Sequence, residues 1–215
     1  MDRERGAVLF ELMRGRRSVR RFSPEPVPRE VLEELLSAAI TAPSASNKQP
    51  WRFFVVTDRA RIERMAAAVR AAVDRIAAHV PPESEAPFRA YGDYFTRFEL
   101  APAVIAVLHR GMSLLSSLVD EGLGDEARAR IARMERDSGL VGASLALQNL
   151  LLMAHALGLG ASGMTGPLVA DGELKEILQV PESWGIAALV PVGFPAEEPA
   201  PPSRKALGKV VRWIE

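Results

Sequence analysis

Between Asp137 and Asp171 the chain carries no Asp, Glu, Lys or Arg, and the part from Leu145 to Leu157 is rich in Leu and Ala. A helix apolar nearly all round has few homes: a membrane, a protein core or a large subunit interface. Ser144, Gln148, Asn149 and His155 interrupt the span, and glycines at 158, 160 and 163 end it early. The membrane is therefore rejected, and a helix from about Ser138 to Leu157 is expected in a core or an interface.

At 215 residues the chain suits a single domain spanning 1–215, able to bury a real core. It has lid-like excursions near 81–100 and 111–136 and an extended C-terminal arm at 196–215. Lys plus Arg equal Asp plus Glu at 27 each, so nothing in the balance suggests a nucleic-acid surface or a polybasic membrane patch. There is no cysteine, which excludes disulfides, thiolate metal sites and a catalytic thiol and makes a reducing cytoplasm the natural home. The start, Met1-Asp2-Arg3-Glu4-Arg5, is charged with both signs, and no secretory signal is expected.

Residues 7 to 14 read as a short helix, followed by a basic knot, Arg16-Arg17-Ser18-Val19-Arg20-Arg21, with four arginines in six positions. Phe22-Ser23-Pro24-Glu25-Pro26 forces an extended exit. Pro28 suits a first helical position, and Val31, Leu32, Leu35, Leu36 and Ala39 make one apolar stripe. Trp51 to Val56 reads as a strand, and Thr57-Asp58 as the cap of a helix through Ile62, Met65, Val69 and Val73. Ala103 to Leu108 and Ile186 to Val192 read as buried strands, Asp171 as the cap of a short helix stopped by Pro181, and Val210 to Ile214 as a last strand-like run. The tail Glu197-Glu198-Pro199-Ala200-Pro201-Pro202 should be stiff and extended.

The loop Ala42-Pro43-Ser44-Ala45-Ser46-Asn47-Lys48-Gln49-Pro50-Trp51 offers hydroxyl and amide groups between two stiffening prolines. Such residues are also ordinary turn formers. Gly158-Leu159-Gly160-Ala161-Ser162-Gly163 spells G-x-G-x-x-G, but a helix precedes it and Met164-Thr165-Gly166-Pro167 follows. A dinucleotide fingerprint needs the reverse context. The knot and the pair Arg204-Lys205 would each be a solvated face if taken alone. Yet Ser18 among guanidinium groups suits a phosphate monoester, because Arg offers bidentate charge-assisted donors and the hydroxyl adds another. His79, His109 and His155 are scattered, so no metal site is expected. His155 reads as a core or interface residue. With no G-x-S-x-G elbow and no clear acid, base or nucleophile, no catalytic residue is assigned, and a cofactor is expected to carry the reaction.

These segments resemble the nitroreductase family of FMN-dependent oxidoreductases nearly end to end. The carriers are the knot with Phe22, the loop through Trp51-Arg52-Phe53, Gly158-Leu159-Gly160 with Met164-Thr165-Gly166-Pro167, and Val192-Gly193-Phe194-Pro195 with Arg204-Lys205. The resemblance implies an α+β sandwich around a mixed, mainly antiparallel sheet flanked by helices, assembled as an intertwined homodimer with two FMN sites at the subunit interface. Arg16, Arg17, Ser18 and Arg20 match the segment holding the phosphate and pyrimidine edge of FMN. Pro43, Ser44, Ala45 and Asn47, with Gln49 nearby, match the loop that reaches the flavin of the other subunit. Met164, Thr165 and Gly166 match the backbone passing flavin N5, and Arg204 with Lys205 match C-terminal phosphate contacts.

The implied activity passes a hydride from NADH or NADPH through flavin N5 to a nitroaromatic, quinone or similar small-molecule acceptor. Two alternatives stay open: specialised flavin chemistry, as in reductive dehalogenation or flavin breakdown to dimethylbenzimidazole, and a non-catalytic FMN-binding protein. Reduced flavin bears negative charge near N1, so a fixed cation there, for which Arg20 is the candidate, favours the reduced state. The long apolar helix then gains a role as a dimer-core helix.

Overall fold

A computed structural model describes residues 2–120 and 122–215. Four strands form one sheet in the order β1-β2-β4-β3, with β1 at Trp51–Val56, β2 at Ala103–His109, β3 at Gly160–Ala161 and β4 at Gly185–Gly193. Every pairing between these strands is antiparallel. The parallel element that makes the sheet mixed is the basic knot, where Ser18 bridges to Ala161 beside β3.

Strand β2 is apolar from Ala103 to Leu108 because both of its faces are covered there. Val104, Ala106 and Leu108 point to one core, with Ile62, Met65, Val69 and the fully buried Phe98. Ala103, Ile105 and Val107 point to the other, with Leu32, Leu35, Ala146 and Leu150. Helices α3 (Arg59–Ala77), α4 (Pro82–Gly92) and α6 (Asp171–Leu178) thus cover one face, and α2 (Arg29–Ala39) and α5 (Asp125–Ala156) the other. A short helix α1 (Arg3–Gly15) precedes the knot. This is the expected α+β sandwich.

Local expectations mostly hold. Asp58 accepts a hydrogen bond from the Ala60 N–H at 3.1 Å and so caps α3. Asp171 is instead the first residue of α6, where its carboxylate pairs with Lys175 at 2.8 Å. The 81–100 excursion is helical, as α4 followed by a tighter turn over Asp93–Leu100. Most of the charged half expected in the 111–136 excursion belongs to α5, which starts at Asp125. Its Ala, Arg and Glu residues are strong helix formers, but most of that turn-by-turn surface is exposed, so no apolar period betrays it. The run Val210–Ile214 forms no strand and is exposed, since it meets no edge within its own chain.

By length and composition α5 could cross a membrane, yet one of its faces lies on the sheet. Ala143, Ala146, Leu150 and Ala154 are fully buried there, while Leu140, Val141 and Leu145 are left exposed. Nearly uniform apolarity thus serves a core on one side and leaves a bare apolar face on the other.

Candidate functional site

The knot is tied to two distant parts of the chain. The Val19 N–H donates to Ala161 O at 3.1 Å, Ser23 N–H to Phe194 O at 2.9 Å, and Ala196 N–H to Arg21 O at 3.0 Å. Close approach to β3 requires Gly160, because a Cβ there would sit 2.6 Å from Val19 Cγ1. In extended chain successive side chains alternate, which puts Arg16, Ser18 and Arg20 on one side and Arg17 with buried Val19 on the other. Arg17 Nη1 donates to the carbonyls of Arg14, Gly15 and Arg16 at 2.7, 2.8 and 3.1 Å, so its guanidinium completes the C-terminus of α1. Arg20 Nη1 donates to Ser18 O at 3.2 Å.

Sequence reasoning missed Glu197 here and read His155 only as a core or interface residue. Glu197 Oε1 accepts from the backbone N–H groups of Arg20 at 2.6 Å and Arg21 at 3.1 Å, pinning the knot and the root of the C-terminal arm together. An acid after Pro195-Ala196 carries no sequence signal for such a tie. His155 reaches from α5 to Gly15, where its Nε2 would lie 2.7 Å from an added Cβ. His155 is pushed below the ordinary imidazole range by burial and then by Arg16 and Arg17. With Arg17, Val19, Leu159, Glu197 and Pro199 it lines an open cavity of about 500 Å³.

The arm brings Arg204 back to Arg16. Burial, then the charges of Arg204 and Arg17, lower the Arg16 pKa from its usual range. Among the described residues no carboxylate lies within ion-pair distance of Arg16, Arg17, Arg20, Arg204 or Lys205. Like charges with no acid in ion-pair reach are relieved by an anion, and Arg is suited to phosphate.

Each glycine of the G-x-G-x-x-G spelling does something different. Gly158, at φ +75°, closes α5 in the left-handed region, with the Leu159 N–H returning to Ala154 O at 2.8 Å. Gly160 admits Val19, and Gly163 is exposed. Met164 then exchanges both backbone hydrogen bonds with Leu189, at 2.9 and 3.0 Å, which fixes the path of exposed Thr165 and of Gly166. At Gly166 a Cβ would meet Phe95 Cδ1 at 2.3 Å. Arg20, Tyr91, Tyr94, Thr165 and Gly166 share a smaller cavity of about 200 Å³. Just before it, the Ser162 hydroxyl is buried and has no hydrogen-bond partner among the described residues.

The polar loop lies elsewhere. Ser46, Asn47 and Gln49 all have φ near +50°, a conformation of order 1 to 3 kcal/mol unfavourable for most non-glycine residues. Ser44 holds them: its carbonyl accepts from the Asn47 N–H and its Oγ from the Gln49 N–H, both at 3.0 Å. Pro43, Ala45, Asn47 and Gln49 are exposed and Trp51 is the buried anchor. The loop packs on α5 at Gly142, where a Cβ would touch Pro50 Cγ at 3.0 Å and Ser44 Cβ at 3.6 Å. His155, beside the knot, is thirteen residues further along the same helix, a rise of about 20 Å. The structure therefore gathers the knot and Arg204 at one end of the sheet, with Thr165 and Gly166 on the same cavity as Arg20, and leaves the loop at the other end. Among the described residues no acidic or histidine cluster could hold a metal.

The Nitroreductase family pattern covers residues 13–194. A protein named NADH dehydrogenase from Thermus thermophilus is 37% identical over 203 residues, 92% of each chain. An iodotyrosine deiodinase from Haliscomenobacter hydrossis is 32% identical, covering 90% of this chain and 82% of its own. A 5,6-dimethylbenzimidazole synthase from Rhodospirillum rubrum is also 32% identical, covering 93% and 88%. Among solved structures, a BluB-like flavoprotein from Clostridium difficile superposes with a TM-score of 0.84 at 23% identity, covering 96% of this chain and 99% of the other. A nitroreductase with bound FMN from Desulfitobacterium hafniense gives 0.71 at 22%, covering 96% and 98%. With that pattern spanning most of the chain and a relative 37% identical over 92% of it, the chain belongs to the nitroreductase family.

Proposed function

We propose that the protein is an FMN-dependent oxidoreductase that takes a hydride from NADH or NADPH and delivers it to a nitroaromatic, quinone or similar small acceptor. The observation carrying this reading is the approach of Arg204 to Arg16, neither with a carboxylate in ion-pair reach among the described residues, beside backbone that only glycine permits. Those groups fit FMN: Arg16, Ser18, Arg204 and Lys205 for the phosphate, Arg20 for the pyrimidine edge, and Thr165 and Gly166 beside N5. When bound, FMN supplies the hydride chemistry. The chain's own contribution is to bind, to orient, and through Arg20 to offer positive charge where the reduced ring is anionic.

The site is read as shared between two copies, because the loop of one chain stands about 20 Å along α5 from that chain's knot. A homodimer is supported by the exposed apolar residues Val8, Phe10, Val141 and Leu145 and by the arm ending in Trp213 and Ile214, which are 82% and 88% exposed. Chains of this kind are read as cytoplasmic, given the lack of cysteine. Similarity to a deiodinase and to a dimethylbenzimidazole synthase keeps specialised flavin chemistry as a second reading. The test is anaerobic addition of NADH or NADPH to the purified yellow protein, then menadione or a nitrofuran. Bleaching followed by reoxidation is expected; a flavin never bleached by either donor would refute the reductase reading.

A further inference from the structure

Glu135 is 4% exposed, and among the described residues it has no cationic partner within ion-pair distance. A buried carboxylate without a cation is costly unless hydrogen bonds satisfy it. Here they come from a single stretch of chain. Its Oε1 accepts from the backbone N–H of Leu114 at 2.7 Å and of Ser116 at 3.2 Å, and its own carbonyl accepts from Met112 N–H at 3.3 Å. The Ser116 hydroxyl and the amides of residues 114 to 116 hold the carboxyl below its ordinary range. Successive amides around one anion form a nest. The segment otherwise keeps only short turns of its own, such as Leu118 N–H to Leu115 O at 3.0 Å. Glu135 is its tie to α5.

The tie is placed on the face of α5 that carries the polar loop. Glu135, Gly139 and Gly142 are spaced i, i+4 and i+7, which is one helix face. At Gly139 a Cβ would overlap Arg110 O, and Gly142 meets Pro50 and Ser44. The segment is thus anchored about 10 Å along the helix from the loop. It leaves Leu114, Leu115 and Leu118 at least 38% exposed, an apolar group beside a polar one.

We infer that Glu135 is a positioning residue that holds Met112–Val119 as an apolar wall over the acceptor side of the loop's half-site, selecting flat apolar acceptors over small hydrophilic ions. The inference rests on the flavin reading above. A merely structural role would lower stability or FMN content and affect all acceptors alike.

The experiment compares FMN-loaded wild type, Glu135→Gln and Leu118→Ser with menadione and with ferricyanide, at matched FMN content. Losing a charge-assisted tie should raise the KM for menadione on the order of tenfold while leaving that for ferricyanide within about twofold. Leu118→Ser, at an exposed position, should shift the same ratio with no change in melting temperature. An unchanged ratio in both variants, or equal losses for both acceptors, overturns the inference. A wild type that NADH and NADPH never bleach would instead remove the flavin reading beneath it.

Discussion

Replacing Gly160 with alanine tests the seam between sheet and basic knot. The added Cβ would lie 2.6 Å from Val19 Cγ1 and 2.8 Å from Val19 Cβ. A rotamer change can move the first contact but not the second, so strand or knot must retreat by about 0.6 Å to reach ordinary contact at 3.4 Å. The Val19 N–H to Ala161 O bond, now 3.1 Å, would stretch past useful length. Overpacking of this kind costs about 1 to 3 kcal/mol. For a chain of this size that is roughly 2 to 12 °C in melting temperature. Because Ser18 and Arg20 flank Val19, the same energy felt at the cofactor would weaken FMN binding about 5- to 150-fold.

Thermal denaturation and titration of FMN by fluorescence quenching read the two effects. Transposing the glycine, as Gly160→Ala with Val19→Gly, should recover part of both, so that the double variant loses less than the two single variants together. Wild-type melting and FMN affinity in Gly160→Ala would refute the reasoning, and so would strictly additive losses in the double variant.

Three further outcomes are expected. Glu197→Gln keeps the size but not the charge that holds the Arg20 and Arg21 amides, and FMN affinity should fall on the order of tenfold by equilibrium dialysis. Arg204→Ala should weaken FMN retention, more so at high salt where screening reduces the remaining attraction; an affinity equal to wild type across a salt series would remove Arg204 from the site. His155 is held below the ordinary range by burial and by Arg16 and Arg17, and His109 by burial and Lys175. The unfolded chain therefore binds more protons, so stability is full above about pH 6.5 and falls as pH drops through that value. In the FMN-free protein, His155→Asn should flatten that fall in melting curves taken between about pH 5.5 and pH 7.5.

The parts of the fold that the sequence makes legible are those where one pattern has one cause. Val104 to Leu108 reads as a buried strand because both its faces are covered, and Asp58 reads as a cap because capping is local. The first half of α5 escapes because its charged turns face solvent and keep no apolar period. Glu197 and Glu135 escape for another reason: each bonds to backbone amides far away in sequence, and an amide has no letter. Gly160 and Gly166 are visible as glycines, but only the packed Val19 and Phe95 side chains say why they must be. The same holds for the loop, whose residue types mark it as polar while three left-handed residues mark it as held.

On the proposed reading, the knot of one copy and the loop of another build one flavin site. Arg16→Glu and Asn47→Trp, each made alone, should give homodimers that lose FMN. Co-expressed with different tags and purified as the mixed dimer, they leave one site with both halves intact and one with both damaged. Roughly one FMN per mixed dimer is expected. A mixed dimer as empty as its parents, or a wild-type monomer that retains FMN, would contradict it.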